Sequence, residues 1–367
     1  MGGGYRSRWP RYGWAAAIAL AMVMGGVGPA AAGPMELHHL PLHLLDVAPE
    51  QEEGPHAYTL WSNRIGANMQ FSNYKGLEKW CRAYASGKVR ERDGMPVLSR
   101  MVAGFEAYFR DYTSQRNRWR QDHHQIELWR GKYPHSHCAP VVEAIYWRKY
   151  AWHARGYGYA DTVSAEGWKL FKQRLRKGAQ VLREAKGLSG KTPAWATQLL
   201  KIARALQWAP AKRKAIFEQA VARFPHYPPL YFERAYADTP MWGGSWRAVD
   251  DDVEAAVKTS RSFLGEGMYA RVYWNVFGET DKSHDFDFFK DTLARWPRMR
   301  SGFEDLMHHY PKSAWDRNSF AAFACLADDA KTYRRLRPKL VGDGYYSQAW
   351  AGNASIDVCD ARLGYRQ

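Results

Sequence analysis

Beyond residue 60 the chain repeats one pattern: apolar side chains three and four positions apart, broken at short intervals by Pro, Gly and Ser. That spacing lines one face of an α-helix. Phe71, Tyr74, Leu77, Cys81 and Tyr84 form one such row. Trp168, Phe171, Leu175, Ala179 and Leu182 form another, with Ser164 placed to cap its start and Gly187 just past its end. Thr192 and Pro193 open a further helix that turns Trp195, Leu199, Ile202 and Leu206 inward, and Pro210 opens the next. No segment alternates apolar and polar residues between turn signals, so the pattern predicts an all-α fold without a sheet.

The breaks recur as well. An aromatic residue followed by proline stands at YPHS (Tyr133 to Ser136), FPHY (Phe224 to Tyr227) and YPKS (Tyr310 to Ser313). Proline cannot continue a helix but fits the first turn of the next, so each step predicts a corner between antiparallel helices. With Pro193, Pro210, Pro229, Ser245 and Pro297 as further breaks, the intervals hold helices of about 10 to 20 residues joined by short loops. The expected architecture over residues 61–340 is a tetratricopeptide-like α-solenoid of antiparallel helix pairs, although the roughly 34-residue register of that repeat is not clean. Residues 33–60 read as a leader or loop segment and 341–367 as a C-terminal tail.

The first 32 residues differ from the rest. Arg6, Arg8 and Arg11 precede an apolar run from Trp14 to Val27 and then PAAAG, without an acid. The run is shorter than the roughly 18 to 20 residues of a membrane span, and Ala30 and Ala32 are small. Residues 1–32 therefore read as a secretory signal peptide cut after Ala32, with an uncleaved anchor as the alternative. No cysteine follows the cut to carry a lipid, and no later window is apolar enough to span a bilayer. The expected location is periplasmic or secreted.

Removing the three arginines takes the formal charge from +16 to +13. Such a balance favours attraction to anionic lipids, wall polymers or acidic proteins, and nucleic acid is not an expected partner of an exported chain. The basic residues read as scattered, from Arg90 and Arg116 through Lys172, Arg176, Lys212 and Lys214 to Arg335, and so predict a solvated surface. Cys81, Cys138, Cys325 and Cys359 allow three pairings in an oxidising compartment. Pairing neighbours closes the shortest loops, each bridge then contributing roughly 3 to 4 kcal/mol, and would tie down the tail. Cys325, inside FAAFACLA, also reads as a small buried helix residue.

AWHARGYGYADTV (Ala151 to Val163), with PMWGGSWRAV (Pro240 to Val249), GMYARVYW (Gly267 to Trp274) and FAAFACLADD (Phe320 to Asp329), resembles a bacterial family catalogued as domain of unknown function 4034, over roughly Phe71 to Asp329. The resemblance implies a helical, tetratricopeptide-like fold and carries no activity. The chain departs from it at WGGS, Trp242 to Ser245, where a bulkier residue is expected after the tryptophan. Read physically, the first of these stretches is a joint. Gly156 and Gly158 supply backbone angles closed to other residues, Asp161, Thr162 and Ser164 cap the following helix, and Arg155 pairs with Asp161 across the turn. Arg155, Asp161 and Trp242 are the candidate binding residues, an anion held by Arg155 at the new helix's N-terminus being the functional reading of the joint.

Seventeen tryptophans and 22 tyrosines interleave with basic residues, as in WRQDHHQIELWRGKYP (Trp119 to Pro134) and YWRKYAWHAR (Tyr146 to Arg155). Such rings suit either stacking on sugars or packing between helix layers, and packing accounts for any single one. His135, His137 and Cys138, the pairs His123–His124 and His308–His309, and SHDFD (Ser283 to Asp287) each bring too few ligands together, so no metal and no cofactor is expected. No catalytic residue is assigned. Cys138 beside His137 and the acids Asp285 and Asp287 come nearest, and DDDVE (Asp250 to Glu254) suits the first turn of a helix. The reading that results is an exported scaffold that binds another envelope protein or an anionic wall polymer, the alternative being a hydrolase acting on cell-wall glycan or peptide.

Overall fold

A computed structural model describes residues 45, 47–49, 53–109, 118–156, 158–279, 286–341, 344–350 and 354–365. The expected signal peptide, most of the leader, and Asp285 lie outside the described residues. Within them the chain forms seventeen α-helices. They are α1 (Gly54–Gln70), α2 (Tyr74–Tyr84), α3 (Val97–Tyr108), α4 (Arg118–Lys132), α5 (Ala139–Arg155), α6 (Ala165–Glu184), α7 (Lys186–Ser189), α8 (Pro193–Ala205) and α9 (Pro210–Arg223), followed by α10 (Pro228–Ala237), α11 (Trp246–Leu264), α12 (Gly267–Glu279), α13 (Phe288–Asp291), α14 (Trp296–His309), α15 (Ala314–Leu326), α16 (Ala330–Leu336) and α17 (Ile356–Arg362). A single isolated bridge, Arg90 with Pro96, is the sole β pairing among the described residues. The fold is all-α, built from helices packed on their chain neighbours.

Most of the helical rows fall where their spacing puts them. On α6, Ser164 accepts from Gly167 N at 3.0 Å, Phe171, Leu175, Ala179 and Leu182 are buried, and Trp168 is half-buried. Gly187 stands just past the end of α6, inside the short α7. Tyr74, Leu77, Cys81 and Tyr84 are buried on α2, but Phe71 belongs to the end of α1 and is 46% exposed. Ser72, with φ of 51°, separates the two helices and breaks the row. α1 itself starts at Gly54, inside the segment read as leader through residue 60, because Ala57 and Trp61 already belong to the core at 0% exposure.

The aromatic–proline steps are one turn used three times. Ser136 N donates to Tyr133 O at 2.9 Å, Tyr227 N to Phe224 O at 3.2 Å and Ser313 N to Tyr310 O at 3.0 Å, each around a proline in the second position. Proline keeps the residue before it out of the helical region, which is why Phe224 and Tyr310 end their helices with nearly the same angles, φ −129° with ψ 57° and 63°. The proline therefore sits in the corner, one turn earlier than the first turn of the next helix. The fourth residue then takes up the new helix. Ser136 Oγ accepts from Ala139 N at 3.0 Å and Ser313 Oγ from Asp316 N at 3.0 Å. At the middle corner the position is Tyr227, which makes no such cap.

Two apolar cores result, one running from Trp61 to Leu230 and one from Tyr231 to Leu363. The first is dominated by large rings, with Trp61, Trp80 and Trp129 no more than 2% exposed. In the second, the uninterrupted run Phe320 to Cys325 is buried on every side of α15.

The array does not stay open. Glu53, just before α1, accepts from Ser313 Oγ at 3.0 Å and from Trp315 N at 2.8 Å at the start of α15, 260 residues on. Arg271 of α12 donates to the Asp93 carbonyl, and Arg90 to the His226 carbonyl at 2.8 Å. Gly94, with φ of 72°, lies under the Tyr310 ring, where an added Cβ would come within 2.1 Å of it. The curve of the solenoid thus closes into a ring with α1, α3, α8, α10, α12, α14 and α15 on the inside and α6, α9 and α11 outside.

Candidate functional site

The joint between α5 and α6 is held from within. Gly156 takes φ of 72°, as its place after the helix requires, whereas Gly158 is not in the left-handed region. Arg155 is 5% exposed and donates to the carbonyls of Gly156 and Gly158, both at 3.0 Å, with its guanidinium over the rings of Trp152 and Trp168 at 5.3 and 5.1 Å. It turns to these carbonyls instead of Asp161, whose side chain faces solvent. The expected Arg155–Asp161 pair is thus replaced by a buried arginine that fastens its own turn, and what was read as an anion contact is spent on backbone.

Trp242 ends a 3-10 turn, Pro240–Trp242, and lies half-buried against Tyr236 with the Arg204 guanidinium 4.2 Å over its ring. Arg204 is itself paired with Glu233 at 2.6 Å. The turn closes where Ser245 N donates to Asp238 O at 2.9 Å, and Ser245 Oγ caps α11. Trp242 belongs to the turn between α10 and α11, Arg155 and Asp161 to the joint between α5 and α6.

The cysteines are bridged as Cys81–Cys138, joining α2 to the start of α5, and Cys325–Cys359, joining α15 to α17, with Cα separations of 5.9 and 5.7 Å. His137 is engaged through Nδ1 with Leu188 O at 2.9 Å. Asp287 caps α13 and pairs with Lys290 at 2.9 Å. Asp250 accepts from Tyr273 at 2.6 Å, and Asp252 and Glu254 pair with Arg234 and Arg298. Among the described residues no three His, Cys, Asp or Glu side chains are grouped to hold a metal, and no helix is long and apolar enough to cross a membrane.

Two features go beyond the residues singled out by sequence. The first is a basic outer flank. From Ala165 to Arg223, through α6, α7, α8 and α9, the chain carries fourteen Lys and Arg against three Glu, a net of +11. Ten of these cations are exposed, among them Lys172, Arg176, Arg183, Lys186, Lys212 and Lys214, and on α9 Ala220 alone is buried. The excess lies within one contiguous stretch of the chain, whose helices α6 and α9 each pack on α8. Lys177 and Lys212 lie over the half-buried rings of Trp147 and Trp208 at 4.6 and 4.0 Å, a fixed presentation of charge on an aromatic face.

The second is a cavity of about 160 Å³ inside the ring. Tyr58, Arg100 and Glu106 line it from α1 and α3, Asp93 from the loop before α3, Lys201 from α8, Tyr227 and Phe232 from the corner and body of α10, Arg271, Trp274 and Asn275 from α12, Phe303 from α14, and Trp315 and Asp316 from α15. No residue of α6, α9 or α11 reaches it. Arg100 pairs with Asp93 and donates to Tyr58 Oη at 2.6 Å. Glu106 accepts through Oε1 from Lys201 and Gln198, both at 2.9 Å, and pairs with Arg148 at 2.8 Å. Burial alone would raise this carboxyl, but Arg148 and Lys201 hold it well below the usual carboxylate range. Asp316 goes the other way. Burial pushes it up to about 6 against the pull of Arg271, with Asp93 and Glu53 adding to the rise.

The sequence carried one signal for this cavity: FPHY puts a tyrosine where its sister corners have a capping serine, and that tyrosine lines the cavity. Comparison with known proteins returned no matching family model, no matching curated protein and no matching solved structure.

Proposed function

We propose that this is an exported helical scaffold of the bacterial cell envelope, of the kind its resemblance to domain of unknown function 4034 implies, and that it holds an anionic envelope polymer against the flank made by α6 to α9. The observation that carries the reading is the concentration of charge: a net of +11 between Ala165 and Arg223 in a chain of +16 overall. A one-signed surface of this density raises the local concentration of a polyanion and speeds its capture, with strong dependence on ionic strength. The half-buried tryptophans under the lysines add a face on which the polymer's apolar or sugar portions can rest. The inner curve, closed into a ring, is withdrawn from such a role, so the outer surface takes it.

Retention of the mature chain on isolated wall material and on immobilised polyglutamate is the direct test. Reversing Lys172, Arg176, Lys212 and Lys214 to Glu should lower retention at least tenfold at low salt. Added salt should remove binding by the unaltered chain, and reversing Lys258 and Arg261 on α11 should change it little. Equal retention of all three proteins would remove the flank from the binding surface.

A further inference from the structure

The cavity inside the ring has its cations and anions matched, yet its hydrogen bonding is incomplete. Arg271 is 6% exposed and bonds through Nη2 alone, to the Asp93 carbonyl and Asp316 Oδ2, so that Nε and Nη1 are unused within the described residues. Tyr227 is 2% exposed, and its hydroxyl has no hydrogen bond there either. On the acceptor side, every contact to Glu106 falls on Oε1 and the contact to Asp316 on Oδ2, leaving Glu106 Oε2 and Asp316 Oδ1 open. These groups all line one space and keep hydrogen-bonding capacity there that an occupant can complete. The walls between these groups are aromatic, including Trp274 and Trp315, whose rings meet edge to face at 5.4 Å.

From this pattern we infer that the cavity is a binding site for a small hydroxycarboxylic acid, its carboxylate on Arg271 and the Tyr227 hydroxyl, its own hydroxyl donating to Glu106 or Asp316, and its carbon body against the tryptophans. An arginine fork with spare N–H groups matches a carboxylate, and the two open carboxylate oxygens require a donor that a simple fatty acid lacks. The volume sets the size. About 160 Å³ is close to the roughly 150 Å³ that accommodates benzene, so the ligand has on the order of six to ten non-hydrogen atoms. This site is separate from the basic flank, and neither proposal depends on the other.

The test is calorimetric titration of the full chain with lactate, glycerate and 3-hydroxybutyrate, each beside its amide and its deoxy counterpart. Binding of at least one hydroxy acid, stronger than either counterpart, is expected. Tyr227→Phe should then weaken it about tenfold, as the loss of a hydrogen bond to a charged group does, with an unchanged melting temperature because that hydroxyl supports nothing in the fold. Arg271→Lys should weaken it further, and if that variant fails to fold, Tyr227→Phe alone decides. Binding by no member of the series, equal binding of the amides, or full affinity in Tyr227→Phe would overturn the assignment.

Discussion

At the scale of single residues, the telling cases are charged groups with no exposure to speak of. Arg155 looks from sequence like a surface cation beside a glycine turn, and Asp316 like an ordinary acid in the first turn of a helix. Burial changes both meanings. Arg155 becomes the clasp of its own turn, and Asp316 meets Arg271 from α12 and the carboxylates of Asp93 and Glu53 from the other core. None of those partners is near it in sequence, which is why no local pattern could place them. A raised carboxyl has a definite consequence for stability. Between 3.8, its ordinary value, and about 6, the folded chain holds this proton more tightly than the unfolded one, so its contribution is present at the acid end and is lost as pH rises through the interval. Asp316→Asn should flatten that slope, recovering on the order of 1 to 3 kcal/mol at pH 7.5 and little at pH 4 in urea unfolding. A wild-type stability that rises between pH 4 and 6 while the variant's does not would contradict it. Glu106, held ionised by Arg148 and Lys201, contributes in the opposite sense at still lower pH.

At the scale of elements, sequence was most informative where a rule is local. Helical spacing located α6, α8 and α9 from their caps and prolines, and three aromatic–proline steps marked three corners of one design, because the proline's effect on the preceding residue is a matter of adjacent atoms. It was least informative where a helix is held by something distant. α17 has seven residues, too few to be stable alone, and rests on the Cys325–Cys359 bridge and on Asp360, which accepts from Tyr333 at 2.7 Å and pairs with Arg337 at 2.8 Å. A Cys359→Ser chain should therefore lose roughly 4 kcal/mol by the loop-entropy estimate for 34 residues. Limited proteolysis should release the segment after Trp350 while the first core stays intact. A tail equally resistant in both chains would show that side-chain contacts alone hold it. The basic flank is one contiguous stretch of sequence, so its charge excess is legible there; that ten of its cations are exposed is seen only once the helices pack.

At the scale of the whole molecule, the two cores are joined through α10, with Phe217 and Val221 packed against both, and by polar contacts across the ring. Glu53 is the most economical of them, one carboxylate receiving the hydroxyl of Ser313 and the backbone of Trp315. Burial raises its carboxyl, with Asp93 adding to the rise, and both donors need only an acceptor oxygen. Glu53→Gln should accordingly leave calorimetric unfolding as a single transition. Glu53→Ala, which abandons both donors, should lower stability by about 2 kcal/mol and broaden or divide the transition as the cores begin to melt separately. One sharp, unshifted transition in the alanine variant would mean that the closure lies elsewhere.

The same contact sets an order in time. A chain that emerges N-terminus first can finish its first core once Leu230 is available, but Glu53 waits for a serine 260 residues behind it. At about 5 to 20 residues per second the 83 residues from Leu230 to Ser313 take roughly 4 to 17 s, during which the first core exists with one wall of its cavity missing. Arg100, Glu106 and Tyr227 are then bathed in solvent, and the compartment around the nascent chain, not the finished ring, decides what they meet first.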